Sequence, residues 1–371
     1  MRIGILITNP NHHVGMTLGV AKLAKSEGHE VEYISLCELR RMPTPVERFK
    51  KEGVACKKFA ELPKNLKPSS GKQTLGSSDS KVRALVRYAF WRLKLKPFIS
   101  KTLKGYDNVL LLNDAAFPGD RICGWLKSKQ IPFTLLQEGI RFPLPGESEV
   151  KYGGNGARSV MVWGQRSAQH FAKVIAPTTQ VVVTGSPRFD EFLAYFAQAG
   201  QAAETQKTLG LFTNPIDDQG FCSKSRKIEM VKDFLANQGA YLNQQKVRLI
   251  IKSHPREDVQ EYYSIATQYV DDVQIGPSDI KECINLVQAG VIMASTVGLE
   301  LLGAGKALAQ MEIPGHGYVF DYTDHPGLVK VPLEREVDLS SLFAQKPDFS
   351  YFEEHIKKGN AVKLIYEGLV A

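Results

Sequence analysis

The chain of 371 residues has no apolar run approaching the roughly 20 residues a helix needs to cross a bilayer, so membrane insertion is not expected. Its five cysteines, Cys37, Cys56, Cys123, Cys222 and Cys283, include no Cys-x-x-Cys spacing. That argues against both a zinc site and a disulfide framework and leaves buried, inert thiols as the reading. The N-terminal Met1-Arg2-Ile3-Gly4-Ile5-Leu6-Ile7 lacks the small-residue cleavage site of a secretory leader and reads as a buried strand, so a cytoplasmic protein is expected. Neither half contains an Asp-x-Asp pair.

What charge there is lies unevenly. The net charge is +8, yet residues 48 to 104 hold sixteen Lys or Arg against Glu52, Glu61 and Asp79, leaving the rest slightly acidic. A concentrated basic face suits a phosphate-bearing acceptor or an anionic membrane surface, where each basic residue contributes about 1 kcal/mol. A solvated basic loop is the alternative. Nucleic acid is disfavoured, because Tyr88, Phe90, Trp91 and Phe98 fit helix packing better than a stacking platform.

Length suggests two domains at about 150 residues each. A strand (Arg2 to Thr8), a loop (Asn9 to Gly15), a helix (Met16 to Glu27) and a strand (Glu30 to Ser35) form a βαβ opening. Residues 63 to 80 read as a Pro/Gly/Ser-rich break before a basic helix at Val82 to Lys94. Strands follow at Asn108 to Leu112, Phe133 to Leu136, Ser159 to Val162 and Gln180 to Thr184. The polar run Gly200 to Gln206 reads as a linker, after which strands at Thr208 to Phe212, Val247 to Ile251, Val273 to Ile275, Ala289 to Met293 and Ala307 to Gln310 make a second sheet. The expected class is α/β: two Rossmann-like domains, 1–199 and 207–351, with a cleft between them and a final helix (352–371, about Phe352 to Leu369) free to pack back toward the first.

In such sheets ligands bind beyond the carboxyl ends of strands, which directs attention to four places. Val247 to Ile251 runs into Lys252-Ser253-His254-Pro255-Arg256, two cations and an imidazole that Pro255 would hold in place, suited to a phosphate. Ala289 to Met293 leads into Ser295-Thr296 before a helix whose first N–H groups attract anions, although an ordinary helix cap fits as well. Glu300, one turn in, could face a ribose or sugar hydroxyl or simply solvent. Leu135-Leu136 ends in Gln137-Glu138-Gly139, where Glu138 is a candidate acid/base whose partial burial would raise its pKa; a salt bridge to Arg141 is its structural alternative. Thr213-Asn214-Pro215-Ile216-Asp217-Asp218 offers two adjacent acids that serve a reacting sugar or merely a turn. His12 and His13 lack a third ligand for a metal and, with Arg141, are assigned to the acceptor. Thr213, Ser186 and Arg188 are assigned to the nucleotide.

In this order the segments resemble the GT-B glycosyltransferases of bacterial surface polysaccharide synthesis, especially those using CMP-linked acidic sugars such as Kdo or sialic acid. The resemblance rests on Gln137-Glu138-Gly139, His254-Pro255 and Ser295-Thr296 and spans most of the chain; Gln137 departs from the acidic first position of the sialyltransferases. It implies acid/base work by Glu138, phosphate contacts from His254, Ser295 and Thr296, and, by likeness to retaining Kdo transferases, an Asp nucleophile at Asp217 or Asp218. Val162-Trp163-Gly164-Gln165 and Val183-Thr184-Gly185-Ser186-Pro187-Arg188 also look like the hinge side of glycerophosphotransferases and UDP-GlcNAc 2-epimerases. The expected partners are a nucleotide sugar, with no metal or other cofactor, and a lipopolysaccharide, capsule or O-antigen glycan, with peripheral association at the inner membrane through residues 48–104. A non-catalytic role in an assembly complex is the reading from a different class.

Overall fold

The computed structural model describes residues 1–61, 81–114, 117–140, 156–199, 206–319, 321–346 and 348–371. The 63–80 break, most of the Gly200 to Gln206 linker, and Arg141 with its salt bridge to Glu138 therefore lie outside the described residues. Two wholly parallel sheets organise the rest. The first orders its strands β3-β2-β1-β4-β5-β6-β7: β1 (Arg2–Ile7), β2 (Glu30–Ser35), β3 (Ala55–Lys58), β4 (Asn108–Leu111), β5 (Phe133–Leu136), β6 (Ser159–Val162) and β7 (Gln180–Val183). The second runs β10-β9-β8-β11-β12-β13: β8 (Thr208–Phe212), β9 (Arg248–Lys252), β10 (Val273–Ile275), β11 (Ala289–Ile292), β12 (Ala307–Met311) and β13 (Val329–Val331). β1, β4, β8 and β11 are apolar runs because helices cover both faces of a parallel sheet. In each sheet the order reverses at the first strand, between β1 and β4 and between β8 and β11, which is where such folds bind ligands.

Three expectations are corrected. The first helix spans His12–Ser26 rather than starting at Met16, because Asn9 Oδ1 accepts from the N–H groups of Asn11 and His12 and turns the chain into the helix early. His12 and His13 thus sit in its first turn, and Gly15 lies inside it. The final helix is two helices, Ser350–His355 and Ala361–Val370, separated where Gly359 (φ 73°) and Asn360 (φ 62°) turn left-handed. Asp190 fixes that break, accepting from Gly359 N (2.8 Å) and Ala361 N (2.8 Å). Lys252 ends β9 instead of following it.

The C-terminal segment joins the two halves. Ile365 and Leu369 pack in the first sheet's core with Leu110 and Met161. Phe352 and Ile356 pack with Trp163 and Phe189 on one side and Phe212, Leu299 and Leu302 on the other. Two glycines permit this crossing. Gly164 is extended (φ −160°), so space rather than dihedral is its constraint: a Cβ there would lie 2.3 Å from the carbonyl of His355. Gly185 (φ 79°) would bring one within 2.4 Å of the Lys357 carbonyl oxygen. Gly164→Ala is expected to cost about 1–3 kcal/mol by overpacking. Gly15→Ala, in open space inside a helix, should stabilise by about 0.4–1 kcal/mol. Thermal unfolding of the two variants checks the pair of signs.

Candidate functional site

Glu138 follows β5 on the N-terminal side. Its neighbour Gln137 is fully buried and braces the turn: its amide nitrogen donates to Gly139 O (3.0 Å) and Ser167 Oγ (2.9 Å), while Oε1 accepts from Trp163 N (2.9 Å). A carboxylate has no proton to give at neutral pH, which explains an amide where the resembling family carries an acid. Glu138 is thereby held with its side chain 29% exposed and Oε2 3.1 Å from His13 Nε2. His13 is buried, and its Nδ1 accepts from Thr8 N (3.2 Å), so Nε2, the nitrogen facing Glu138, carries an N–H. His12 Nε2 donates to the Glu138 carbonyl (2.8 Å). Burial, followed by the field of Arg188, holds the His12 pKa below its ordinary value and the ring neutral. The two histidines that were assigned to an acceptor are thus first of all the frame around Glu138.

On the other side stands Glu300, 1% exposed, in the helix Val297–Gly303. It pairs with Arg188 of the helix Pro187–Ala199, an ion pair that crosses from one domain to the other. Its second oxygen, Oε2, is buried without a partner. A buried carboxylate oxygen left open normally costs about 1–3 kcal/mol, and a ligand hydroxyl would satisfy it. The solvent-facing alternative for Glu300 does not hold. Ser295 Oγ accepts from Val297 N (3.3 Å), and Tyr322 OH donates to Ser295 O (2.8 Å) while accepting from Leu299 N (3.1 Å). The helix start is therefore largely satisfied from within, with the Thr296 side chain contributing no cap.

The segment after β9 holds a hub that sequence reasoning passed over. Glu257 Oε1 accepts from Lys227 Nζ (2.7 Å) and Tyr262 OH (2.7 Å); Oε2 accepts from Thr213 Oγ1 (3.0 Å) and His254 N (3.3 Å). Lys227, 3% exposed, also meets Asp217 Oδ1 at 2.5 Å. Burial would raise the Asp217 pKa, but hydrogen bonding and charge from Lys227 outweigh it, and the carboxyl titrates below its ordinary range. Asp218 Oδ2 pairs with Arg256 Nη1 at 3.1 Å. Both aspartates are thus committed to cations. His254 Nδ1 accepts from Arg256 N (3.2 Å), and burial, then Arg256, lowers its pKa; the neutral ring therefore carries its proton on Nε2 as a donor. Lys252 is half-buried, and Pro255 is exposed. Ser186 stands apart: it has no exposed surface and its hydroxyl faces Met16 Sδ (3.4 Å), so it packs the Pro187 helix against the first helix rather than meeting a nucleotide. Among the described residues no three His, Cys, Asp or Glu gather as a metal site, and no helix is long and apolar enough to cross a membrane.

Two doubly wound parallel sheets, a cleft lined from both, and a C-terminal helix pair that crosses back define the GT-B fold. No family model matches the chain, and no curated protein matches it in sequence. Solved structures do. The UDP-GlcNAc 2-epimerase from Methanocaldococcus jannaschii is similar at 9% identity with a TM-score of 0.63, covering 100% of both chains. The UDP-GlcNAc 2-epimerase from Neisseria meningitidis, bound to UDP-GlcNAc, is similar at 12% identity with a TM-score of 0.61, again covering 100% of both. MurG of Acinetobacter baumannii matches at 13% identity with a TM-score of 0.53, covering 100% of this chain and 99% of that one. At such identities the likeness establishes the fold.

Proposed function

We propose that this protein is a glycosyltransferase that moves a sugar from a nucleotide donor held by the second domain to an acceptor hydroxyl held by the first. The observation that carries the reading is Glu300: a buried carboxylate, fixed by Arg188 across the cleft, with one oxygen that lacks a hydrogen-bond partner and that a ribose hydroxyl would satisfy. Lys252, the His254 Nε2–H and the Thr296 hydroxyl supply charge and donors for the departing phosphate. Glu138, framed by His12 and His13, accepts the proton of the acceptor hydroxyl as its oxygen bonds to the anomeric carbon and the bond from that carbon to the phosphate oxygen breaks. Because Asp217 and Asp218 are held by Lys227 and Arg256, we favour direct displacement over a covalent aspartyl intermediate.

The His-Pro and Ser-Thr pairs favour a CMP-linked acidic sugar such as Kdo, with a lipopolysaccharide or capsule glycan as acceptor. The second reading, a UDP-sugar transferase or 2-epimerase, is favoured by the full-length likeness to UDP-GlcNAc 2-epimerases. Titration with CMP and UDP separates the donors: tighter binding of CMP supports the first, and tight preferential binding of UDP overturns it. Glu300→Gln is expected to weaken binding of either ribonucleotide by roughly tenfold to a hundredfold, as loss of a hydrogen bond to a charged group. An unchanged affinity would remove Glu300 from the site.

A further inference from the structure

The helix Lys81–Phe90 and the residues after it expose what a folded chain normally covers. Leu85 is 67% and Leu93 74% exposed, with Val86 and Tyr88 also open. Single exposed leucines are ordinary; this many large apolar side chains along one helical segment are not. The segment is not adrift, since Trp91 and Leu95 anchor it in the first domain's core. From 81 to 104 the sequence holds eight Lys or Arg and no acid. Exposed Leu, Val and Tyr interleaved with Arg92, Lys94 and Lys96 make an amphipathic basic helix of the kind that lies in an anionic bilayer's interface.

A cavity of about 550 Å³ opens beside it. Its walls include Leu36, Phe59, Phe117 and Pro118 together with the charged Arg40, Arg41 and Glu61, and Phe90, the last residue of the exposed helix, lines it too. Glu38 also lines it: the residue is about nine-tenths buried, its Oε1 takes Thr44, and its Oε2 has no hydrogen bond. The cavity also reaches Thr8, whose backbone N–H holds His13 beside Glu138. The exposed apolar helix, the cavity and the Glu138–His13 pair therefore adjoin in that order.

We propose that residues 84–104 dock on an anionic lipid bilayer and that the cavity receives the apolar part of an acceptor carried in that bilayer, with a hydroxyl of the acceptor meeting Glu38. The acceptor half of this rests on the glycosyl-transfer reading; the docking half does not.

Flotation of the whole protein with vesicles tests the docking. Binding is expected to vesicles containing phosphatidylglycerol and not to pure phosphatidylcholine. Removing one cation (Arg92→Ser) should weaken it roughly fivefold, and Leu85→Ser with Leu93→Ser at least tenfold. Equal binding to both vesicles, no binding to either, or displacement of the protein from phosphatidylglycerol vesicles by an RNA oligonucleotide would overturn it. The cavity is probed with monomeric octyl glucoside against free glucose. The alkyl glycoside should bind and glucose should not, with Phe59→Ala and Glu38→Gln each weakening binding roughly tenfold while the melting temperature holds. Equal binding of the two sugars, or indifference to both substitutions, contradicts the cavity assignment. CMP and UDP affinities of the same variants read the cleft separately, so a failure here is distinguishable from failure of the donor site.

Discussion

Replacing Glu138 by Gln is expected to lower the turnover number by roughly a hundredfold to ten-thousandfold, the usual contribution of a general base, while leaving nucleotide affinity unchanged. The substitution keeps the size of the side chain and the backbone carbonyl that His12 Nε2 binds, so the frame survives. What it removes is the carboxylate that stands 3.1 Å from the N–H-bearing nitrogen of His13 in the cleft's N-terminal wall. A structural role would show instead as a lower melting temperature with proportionate loss of both parameters. A turnover number within a few-fold of the parent, with intact folding, would transfer the base to another group, and His12 would be next to test because its Nδ1 is the unprotonated nitrogen of a neutral ring.

The second large effect is on stability. Lys227→Met should destabilise the protein by about 3–5 kcal/mol, because it strands Glu257, whose side chain is 5% exposed, without its cation. Burial opposes the charge on Lys227, yet its hydrogen bonds to Asp217 and Glu257 more than offset that and raise its pKa. Asp217 makes the complementary contribution: since its folded pKa lies below the ordinary value, its stabilisation is complete above that value and is lost as pH falls through the lower folded one. The damage should reach the cleft, because Glu257 also holds Thr213 and the backbone of His254. Chemical denaturation of Lys227→Met, with Lys224→Met as an exposed control, measures the difference; equal midpoints would contradict a buried hub.

The fold was legible where burial wrote it plainly. β1, β4, β8 and β11 are continuous apolar runs, and the candidates Glu138, His254 and Ser295 stand just beyond the ends of β5, β9 and β11. β3 escaped because an edge strand reading Ala-Cys-Lys-Lys, half exposed, has no apolar face to declare it, and β13 escaped as well. The early start of the first helix depended on one side-chain oxygen of Asn9, and the break before Asn360 on two left-handed residues, signals that periodicity does not register. Glu138 and Glu300 could be singled out from position alone, though not their partners: His13 lies 125 residues from one and Arg188 112 from the other. Glu257 was invisible for a related reason. In Pro-Arg-Glu-Asp it looks like a solvated turn, and only the fold brings Lys227, Tyr262 and Thr213 onto it. Ser186 shows the converse, a hydroxyl at a strand end that the packing turns inward.

The central claim is acceptor-dependent transfer of a sugar from a nucleotide, and product analysis tests it most directly. The purified protein, incubated with labelled CMP-Kdo and separately with labelled UDP-GlcNAc, with and without a lipid-linked glycan extract, should release free nucleotide and label the glycan with one donor only when the extract is present. Conversion of UDP-GlcNAc to its 2-epimer with no acceptor, or no consumption of either donor under any condition, would contradict it.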